Sequence, residues 1–255
     1  MLSYSSDAQI LRTDRYVEAD LIVVFLTEDR GKRRGVAKNA TKSRRRFGAG
    51  LEPLTLGRVA YVERETRELV RLDRVEPRSS PLNLTMGQSD GGAAHVLGHA
   101  AYFAELLDEW APDASPNERL YRLGAAVVAA LGRGGSVDAL ARYFEFWLLK
   151  LEGVYPALDV CPRCGQAAFG AGATLVASER AYICGPCAGG GVRLSGEAMT
   201  FLRHAMRRAP ADVVSAPVTV DALREIEQAH ARLIAMHLEK ELRSARVVRE
   251  LRPES

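Results

Sequence analysis

The first eighty residues alternate between short apolar runs and turn residues, a pattern typical of β-strands. Residues 21–26 form a continuous apolar run, and residues 27–31 then supply a polar turn. The length and β-branching of this run favour a buried strand over a helix. Further strands are predicted at residues 9–20, 31–38, 57–63 and 68–76. Five strands of this size predict a small barrel such as the OB-fold, because closure of a barrel removes exposed sheet edges.

The apolar positions within these strands predict the core of the barrel. The core candidates on the last two strands are Val59, Tyr61, Leu69, Val70 and Leu72. The aromatic residues with a second possible role, as platforms on which bases stack, are Tyr16, Phe47 and Tyr61. We expect these three rings to lie in the core, because a small barrel needs large side chains to fill it.

Beyond the strands the periodicity changes. Residues 77–92 are rich in Pro, Ser, Asn and Gly and predict a linker. Helical spacing then predicts helices at residues 95–110, 117–131, 137–151, 195–208 and 219–242. The pattern predicts an α+β multidomain protein, with a five-stranded OB-fold barrel at residues 1–80 and an α-helical domain at residues 81–255.

Charge is unevenly distributed along the chain. The net charge is +3. Residues 1–80 hold 17 Lys and Arg against 12 Asp and Glu, a net charge of +5, and the remainder holds 18 against 20, a net charge of −2. A polyanionic partner is therefore expected to bind the N-terminal part.

One stretch, residues 31–47, concentrates this positive charge. It contains eight cations and no acidic residue, and these are Lys32, Arg33, Arg34, Lys38, Lys42, Arg44, Arg45 and Arg46. So many uncompensated cations repel one another unless an anion is near, and nucleic-acid phosphates neutralise them with release of counterions. The alternative is a merely solvated charged face. The absence of acids and the small spacer residues favour a DNA-binding surface.

Two cysteine pairs form the most specific motif. Cys161, Cys164, Cys184 and Cys187 have the spacing C-x2-C-x19-C-x2-C, which is typical of a zinc site with four thiolate ligands. Gly165 allows a tight turn after the first pair. With no open position for a water, one such zinc ion is structural, and the module spans about residues 158–190. The alternatives are four free thiols in a core or a redox pair, and the redox pair lacks the surrounding βαβ unit.

A weaker motif, Gly87-Gln-Ser89-Asp-Gly91, matches the G-x-S-x-G turn of serine hydrolases. That turn follows a buried strand, and residues 81–86 are a poor strand. No phosphate-binding G-x-x-x-x-G-K-[ST] loop is present. Neither catalysis by Ser89 nor P-loop ATPase activity is therefore indicated.

The histidines give weaker signals. His95 and His99 lie one helical turn apart, but no third metal ligand is apparent, so they are expected to line a helix edge. His230 and His237 lie on or beside the apolar stripe of the last helix, where a hydrogen-bonded packing histidine is expected.

Nothing in the chain predicts a membrane segment. Residues 1–10 are polar and lack the apolar core of a signal peptide, and no apolar run approaches the roughly 20 residues that span a bilayer. A soluble cytoplasmic protein, associated with the nucleoid, is the expectation.

Motifs along the whole chain resemble the RecO family of bacterial recombination mediators in DNA repair. In order, they are Tyr16-x-Glu18-x-Asp20, the apolar strand with Thr27, Gly31, Val36-Ala37-Lys38, Ser43-Arg44, Leu51-x-Pro53, Tyr102-Phe103-x-Glu105-Leu106, Leu151-x-Gly153 and the cysteine quartet. One departure is Asn39, where the family usually has Gly, but Asn tolerates a left-handed backbone. Some family members lack the cysteines, so zinc is inferred from this sequence alone.

The resemblance implies an N-terminal OB-fold, a helical C-terminal domain and non-enzymatic work. It implies binding of single- and double-stranded DNA, annealing of complementary strands and, with RecR, loading of RecA on DNA coated by single-strand-binding protein. That protein's acidic C-terminal tail is a further expected partner. The tail needs an apolar pocket rimmed by cations, and the sequence leaves two groups open: Arg142, Tyr143 and Lys150, or Arg119 and Arg122. The alternatives from other classes are a zinc-stabilised regulator that reads a duplex sequence, and a serine hydrolase using Ser89.

Overall fold

The computed structural model describes residues 1–64, 68–86, 89–167, 169–238, 240 and 242–251. The elements follow one another as β1 (Leu2–Arg15), β2 (Leu21–Thr27), β3 (Gly31–Ala37), β4 (Leu56–Glu63), β5 (Val70–Ser79), α1 (Pro81–Leu84), α2 (Asp90–Trp110), α3 (Glu118–Leu131), α4 (Val137–Leu151), β6 (Gly172–Val176), β7 (Ala181–Ile183), β8 (Val192–Ser195), α5 (Gly196–Ala205), α6 (Pro210–Val213), α7 (Val220–Leu238) and α8 (Arg243–Glu250).

These elements form two compact units. The first unit contains Met1–Gly132 together with α8, and the second contains Arg133–Glu241. The strands of the barrel end at Ser79, but α1 to α3 belong to the same compact unit as the barrel. A domain boundary at residue 80 stays a prediction.

The five N-terminal strands form a closed barrel in the order β1-β2-β3-β5-β4. β1 pairs with β2 along one edge and with β4 along the other, so no strand edge is left open between them. β3 and β5 pair in parallel, and the other neighbours are antiparallel. The predicted fold class, an OB-like barrel followed by a helical part, is confirmed.

The barrel core is apolar and continuous. Its buried members are Ala8, Ile10, Val23, Phe25, Ala37, Ala40, Phe47, Val59, Tyr61, Val70, Leu72 and Val75. β2 is buried on both faces, because Val24 and Leu26 also lie out of solvent on the side away from this core. Burial on both faces explains why β2 is a continuous apolar run in the sequence.

Strand boundaries differ from the sequence prediction mainly in β1 and β5. β1 begins at Leu2, seven residues before the predicted start. Its first residues are mostly polar and are held by backbone pairing with β4, so they leave no apolar pattern in the sequence. The predicted linker is wrong between residues 77 and 84. β5 continues to Ser79, and Ser80 and Pro81 then begin α1, with the Ser80 side chain accepting a hydrogen bond from the Leu82 N–H.

In the first unit, helices α2 and α8 are joined by a carboxylate cap. The Glu105 side chain accepts hydrogen bonds from the backbone N–H groups of Arg243 (3.0 Å) and Ser244 (2.8 Å), which begin α8. Negative charge at this end of a helix is favourable. The long helix predicted at residues 219–242 corresponds to α7, which ends at Leu238, and the short helix α8 that follows it was not predicted.

In the second unit, α4, α5, α6 and α7 accompany a three-stranded sheet of order β7-β6-β8. Ser136 accepts a hydrogen bond from the Ala139 N–H (3.1 Å) and caps α4 as predicted, and Ser195 caps α5 in the same way (3.2 Å). Strand β8 was missed, because its four residues offer too short a pattern. Among the helices that the structure describes, none is both long and apolar enough to cross a membrane.

Candidate nucleic-acid interface and metal centre

The eight cations of residues 31–47 do not share one environment. Lys32 is buried on β3, and its Nζ donates to the Asp108 backbone oxygen (2.6 Å). Carboxylate oxygens of Asp108 and Asp113 each lie 3.5 Å from the same nitrogen. A buried cation must be paired in this way, so Lys32 joins the barrel to α2 and the segment after it. Arg33 is half-buried, and its Nη1 donates to the Lys32 carbonyl (3.3 Å).

The other cations lie on the surface. The exposed members are Arg34, Lys38, Lys42, Arg44 and Arg45. Within the described part of the chain, no ion pair joins any of these five side chains to a carboxylate. Arg46 is half-exposed, with its Nε bonded to Ser43 Oγ (3.0 Å) and its guanidinium 4.9 Å above the Phe47 ring.

Five arginines on β1, β4 and β5 form a contrast, because each has an acidic neighbour. The pairs are Arg12–Asp14, Arg58–Asp7, Arg71–Asp73, Arg74–Glu76 and Arg78–Asp7, all within 3.7 Å. Their charges largely cancel locally. Arg34 and the basic loop, defined here as residues 38–47, therefore hold most of the exposed barrel cations for which no ion pair is described.

Local hydrogen bonds hold the basic loop against the β1–β2 turn, residues 16–20. The Asn39 N–H donates to Asp20 Oδ1 (2.7 Å), and the Thr41 N–H donates to the Ala19 carbonyl (3.2 Å). Asn39 has φ 52° and ψ 33°, the left-handed conformation expected where Asn replaces Gly. Phe47 fixes the far end of the loop in the barrel core. The loop thus carries its charge on an ordered backbone.

Two of the three aromatic residues are core residues as predicted, and one is not. Phe47 and Tyr61 are buried. Tyr16 lies at the start of the β1–β2 turn with 55% of its surface exposed, so its predicted place in the core is wrong. The sequence signal for this was available: Tyr16 precedes the turn residues and lies outside the alternating pattern of β1.

The four cysteines come together, and their sulfur atoms all lie within 4.8 Å of one another. The Cys164 and Cys184 sulfurs are 3.6 Å apart, close to the roughly 3.8 Å expected for two thiolates on one tetrahedral zinc ion with Zn–S bonds of about 2.3 Å. Four sulfurs in this arrangement could hold a metal ion.

Tight turns position both cysteine pairs. The Gly165 N–H donates to the Cys161 carbonyl (2.9 Å), and Gly165 has φ +71°, a conformation that favours glycine. The Cys187 N–H donates to the Cys184 carbonyl (3.0 Å) in a short 3-10 turn. Each turn brings the two sulfur atoms of its pair close together.

The cysteine thiols have very different acidities in the absence of an ion. A backbone N–H of Cys184 donates to the Cys161 sulfur and lowers the Cys161 pKa to about 6. The side-chain hydrogen bond with Cys184 raises the Cys187 pKa to about 12. Once one thiolate has formed, further negative charge in the cluster is unfavourable. A cation removes this penalty, since metal binding deprotonates its thiol ligands.

An arginine inside the first cysteine pair joins it to the second, and the sequence did not predict this role. Arg163 Nη1 donates to the Cys187 carbonyl (2.5 Å), and its Nη2 pairs with Glu179 Oε1 (2.5 Å). Glu179 lies in the turn between β6 and β7. No spacing rule marks such a residue, because its partner is a backbone carbonyl.

Next to this module lies a chain of buried polar side chains. On α4, Arg142 and Glu145 form an ion pair (2.9 Å), and Glu145 Oε2 lies 2.9 Å from His230 Nδ1. His230 Nε2 lies 2.9 Å from the Tyr155 hydroxyl, which lies 3.1 Å from the hydroxyl of Tyr182 on β7. The prediction of a hydrogen-bonded packing histidine at His230 is confirmed. These linked hydrogen bonds join α4 and α7 to the hairpin between the cysteine pairs.

Burial determines the protonation of this chain. Desolvation lowers the pKa of His230, although the Glu145 carboxylate opposes this shift. The lowering prevails, because desolvation is the larger effect and the Arg142 cation acts in the same direction. Neutral His230 then donates from Nδ1 to Glu145 and accepts the Tyr155 proton at Nε2. Burial also raises the pKa of Tyr155 well above its usual value.

A separate cavity of about 460 Å³ lies beside the C-terminal end of α4. Its apolar residues include Phe146, Leu158 and Met206, and its cations are Lys150, Arg203 and Arg207. The sequence left two groups of residues open as the site for an acidic tail. Of these residues, Lys150 is the one that lines this cavity. Arg142 is buried against Glu145 and Glu227, and Arg122 pairs with Glu118 on α3.

Ser89 has a structural role. Its Oγ accepts a hydrogen bond from the Gly92 N–H (3.3 Å), which makes it the N-cap of α2. Gly87 and Gln88 of the same motif lie outside the described residues.

Comparisons with known proteins agree with this architecture. A family model described as Recombination protein O N terminal matches residues 1–81, and one described as Recombination protein O C terminal matches residues 93–246. The DNA repair protein RecO of Koribacter versatilis (strain Ellin345) is 44% identical over 161 residues, which is 63% of this chain and 63% of that protein. That alignment spans just under two thirds of the relative.

Two other relatives match over nearly their full length. The DNA repair protein RecO of Anaeromyxobacter dehalogenans (strain 2CP-C) is 33% identical over 250 residues, 96% of this chain and 95% of that protein. The DNA repair protein RecO of Geobacter sulfurreducens (strain ATCC 51573 / DSM 12127 / PCA) is 32% identical over 250 residues, 97% and 98% of the two chains.

Proposed function

The chain belongs to the RecO family of DNA repair proteins, and we propose that it is a non-enzymatic recombination mediator that binds single- and double-stranded DNA without sequence preference. The observation that carries the proposal is the basic loop with Arg34, a group of exposed cations without a described ion-pair partner on an ordered backbone. Phosphates neutralise such cations with release of counterions, whatever the base sequence.

Strand annealing is the activity proposed for this surface. Two complementary strands repel each other through their phosphates, and a basic surface that binds both lowers this repulsion. Bases held exposed on the protein then remain free to pair. Together with RecR, the protein is proposed to help load RecA on DNA coated by single-strand-binding protein, in the cytoplasm and at the nucleoid.

We propose one structural zinc ion held by Cys161, Cys164, Cys184 and Cys187. The closeness of the four sulfurs supports it. All four positions of a tetrahedral ion would be filled by protein, which leaves no place for substrate. The metal would stabilise the turns and the hairpin between the cysteine pairs.

We propose the cavity beside α4 as the site for the acidic C-terminal tail of single-strand-binding protein. Phe146 and Met206 would contact the terminal apolar side chain, and Lys150 and Arg207 would pair with its carboxylates. Replacing Lys150 with Glu should weaken binding of a labelled tail peptide to the full chain at least tenfold. Arg208→Glu is the matched control, because Arg208 is exposed beside Arg207 but does not line the cavity.

A strand-annealing assay with labelled complementary oligonucleotides tests the main proposal. The full chain should accelerate annealing for unrelated sequences alike. Binding confined to one duplex sequence would support a regulator instead and would contradict the proposal.

A further inference from the structure

The β1–β2 turn presents an aromatic ring to solvent at the edge of the basic loop. Tyr16 and the next residue, Val17, each have 55% of their surface exposed. The turn is ordered, because the Tyr16 N–H donates to the Asp20 carbonyl (3.1 Å) and the Asp20 N–H donates to the Val17 carbonyl (2.7 Å). An exposed tyrosine on a hydrogen-bonded turn is the kind of platform on which bases stack.

Tyr16 borders a cavity at one end of the barrel. The cavity has a volume of about 660 Å³, within the range of small-ligand pockets. Its walls come from the β1–β2 turn, the end of β3 and both sides of the β4–β5 connection, with Val36, Leu69 and Val70 as apolar residues. In OB-folds the loops that follow β1 and β4 commonly contact oligonucleotides.

Three cations and two acids line this cavity. The cations are Lys38, Arg64 and Arg71, and the acids are Asp20 and Glu68. Arg71 is paired with Asp73 (2.8 Å), and Asp20 is engaged by the Asn39 N–H.

Lys38 and Arg64 are exposed, and in the described ranges neither forms an ion pair with a carboxylate. They are therefore available to phosphates, while Glu68 can accept a hydrogen bond from an exocyclic amine of a base.

We propose that this cavity is a subsite for single-stranded nucleic acid, in which Tyr16 stacks on an unpaired base and Lys38 and Arg64 contact the flanking phosphates. The inference rests on the DNA binding proposed above and adds to it a residue that distinguishes strand types. A duplex keeps its bases stacked on one another, so its contribution at Tyr16 is absent, while its phosphates still bind the basic loop. The site therefore makes the barrel prefer single strands.

The test compares Tyr16→Ala with Tyr16→Phe and Val17→Ala in the full chain, using fluorescence anisotropy with a labelled single strand and a blunt duplex of the same sequence. Tyr16→Ala should weaken single-strand binding about tenfold, in line with measured base–aromatic stacking. Duplex binding should change less than twofold, and the salt slope should stay unchanged, because stacking releases no counterion. Tyr16→Phe should bind like the parent. Val17→Ala is the matched control, with the same exposure on the same turn but no aromatic ring.

A second variant, Arg64→Ala, tests the role of the cations independently of the Tyr16 ring. Arg64→Ala should flatten the single-strand salt slope by about 0.7, as expected when one phosphate is no longer neutralised by the protein. If Tyr16→Ala bound single strands as well as the parent does, or if it weakened single-strand and duplex binding equally, the subsite would be refuted. The proposed DNA binding would still stand if replacing the arginines of the basic loop weakened both. If the parent bound neither DNA, both proposals would fail.

Discussion

The same residue type has opposite roles in the two compact units. In the barrel, Arg44 and Arg45 are exposed on a loop with no acidic residue in its sequence. In the second unit, Arg142 is buried with 3% of its side chain exposed, between Glu145 (2.9 Å) and Glu227 (3.4 Å). The exposed guanidinium groups remain available to an external anion, whereas the buried one is paired with carboxylates of the protein itself.

This difference has consequences for stability. Cations clustered on a surface repel one another, so we expect the basic loop to contribute to the proposed DNA binding rather than to folding. The buried group is different, because removing one partner leaves an uncompensated charge in a medium of low dielectric constant. Variants of the first region should therefore change DNA binding with little effect on unfolding, and variants of the second should do the reverse.

The largest expected effect breaks the second unit at its metal centre. Cys184→Ser should remove a ligand and abolish retention of one zinc ion per chain. Metal binding free energy is folding free energy, so we expect the unfolding free energy of this unit to fall by several kcal/mol, below an upper limit of about 10 kcal/mol. Metal analysis of reduced protein and urea unfolding measure the two effects.

DNA binding by this variant sharpens the comparison. Affinity attributed to the basic loop should remain within about twofold of the parent, since the barrel has its own closed sheet and core. Chelation followed by zinc addition to the parent controls for irreversible damage. Freshly purified, reduced protein without zinc would contradict the metal prediction.

The next effect concerns the buried ion pair. Glu145→Gln keeps the shape of the side chain but removes the negative charge between Arg142 and His230. We expect the free energy of unfolding to fall by about 3–5 kcal/mol, as for other buried pairs in which one partner is removed. Urea unfolding measures the change. Glu118→Gln is the control, because its pair with Arg122 is exposed and should contribute little. Equal decreases in the two variants would remove the distinction between buried and exposed pairs.

The sequence predicted those elements accurately whose ends are marked by local sequence signals. β2, β3 and β4 were predicted within about one residue, because apolar runs and turn residues bound them. The cysteine quartet was predicted from spacing alone. The start of β1, the strand β8 and the separation of α7 from α8 were not, because long-range pairing decides them.

The candidate site was predicted less completely, for a related reason. Eight cations look alike in a sequence, but Lys32 contacts Asp108, 76 residues away, and this contact decides that it is buried. Buried Arg142 likewise pairs with Glu227, more than eighty residues further along the chain. Charge composition located the basic surface, but only tertiary contacts show which cations remain on it.

A smaller effect is expected where the barrel surface itself is changed. Replacing Arg44, Arg45 and Arg46 with Ala should weaken binding to all DNA sequences alike. The slope of log affinity against log salt should flatten by about 0.7 for each single-strand phosphate that the variant no longer neutralises, or about 2 for three phosphates. The unfolding free energy should change little.

The matched control replaces Arg58, Arg71 and Arg74 with Ala, because these arginines are also on the barrel surface but are ion-paired with acidic residues. It removes the same formal charge from the same barrel. If both triple variants showed the same decrease in affinity and salt dependence, net charge alone would explain binding, and the basic loop would have no special role.

The smallest expected effect is the pH dependence of the second unit. Burial lowers the pKa of His230 below its ordinary value of 6.5, so near neutral pH the residue is neutral in both the folded and the unfolded state. As the pH falls below about 6.5, the unfolded chain binds a proton that the folded chain does not, and the equilibrium moves towards unfolding. The stabilisation is therefore present above that pH and is lost as the pH falls towards the lowered pKa.

His230→Gln should reduce the slope of unfolding free energy against pH between 6.5 and 5.5 by at most about 1.4 kcal/mol per pH unit. His204→Gln, a half-exposed histidine on α5, is the control. Because the glutamine also changes the hydrogen bonds to Glu145 and Tyr155, the slope and not the absolute stability is the readout. A slope identical to that of the parent would show that His230 binds protons equally in the folded and unfolded states, and a steeper slope in the variant would show that His230 is already protonated in the folded protein.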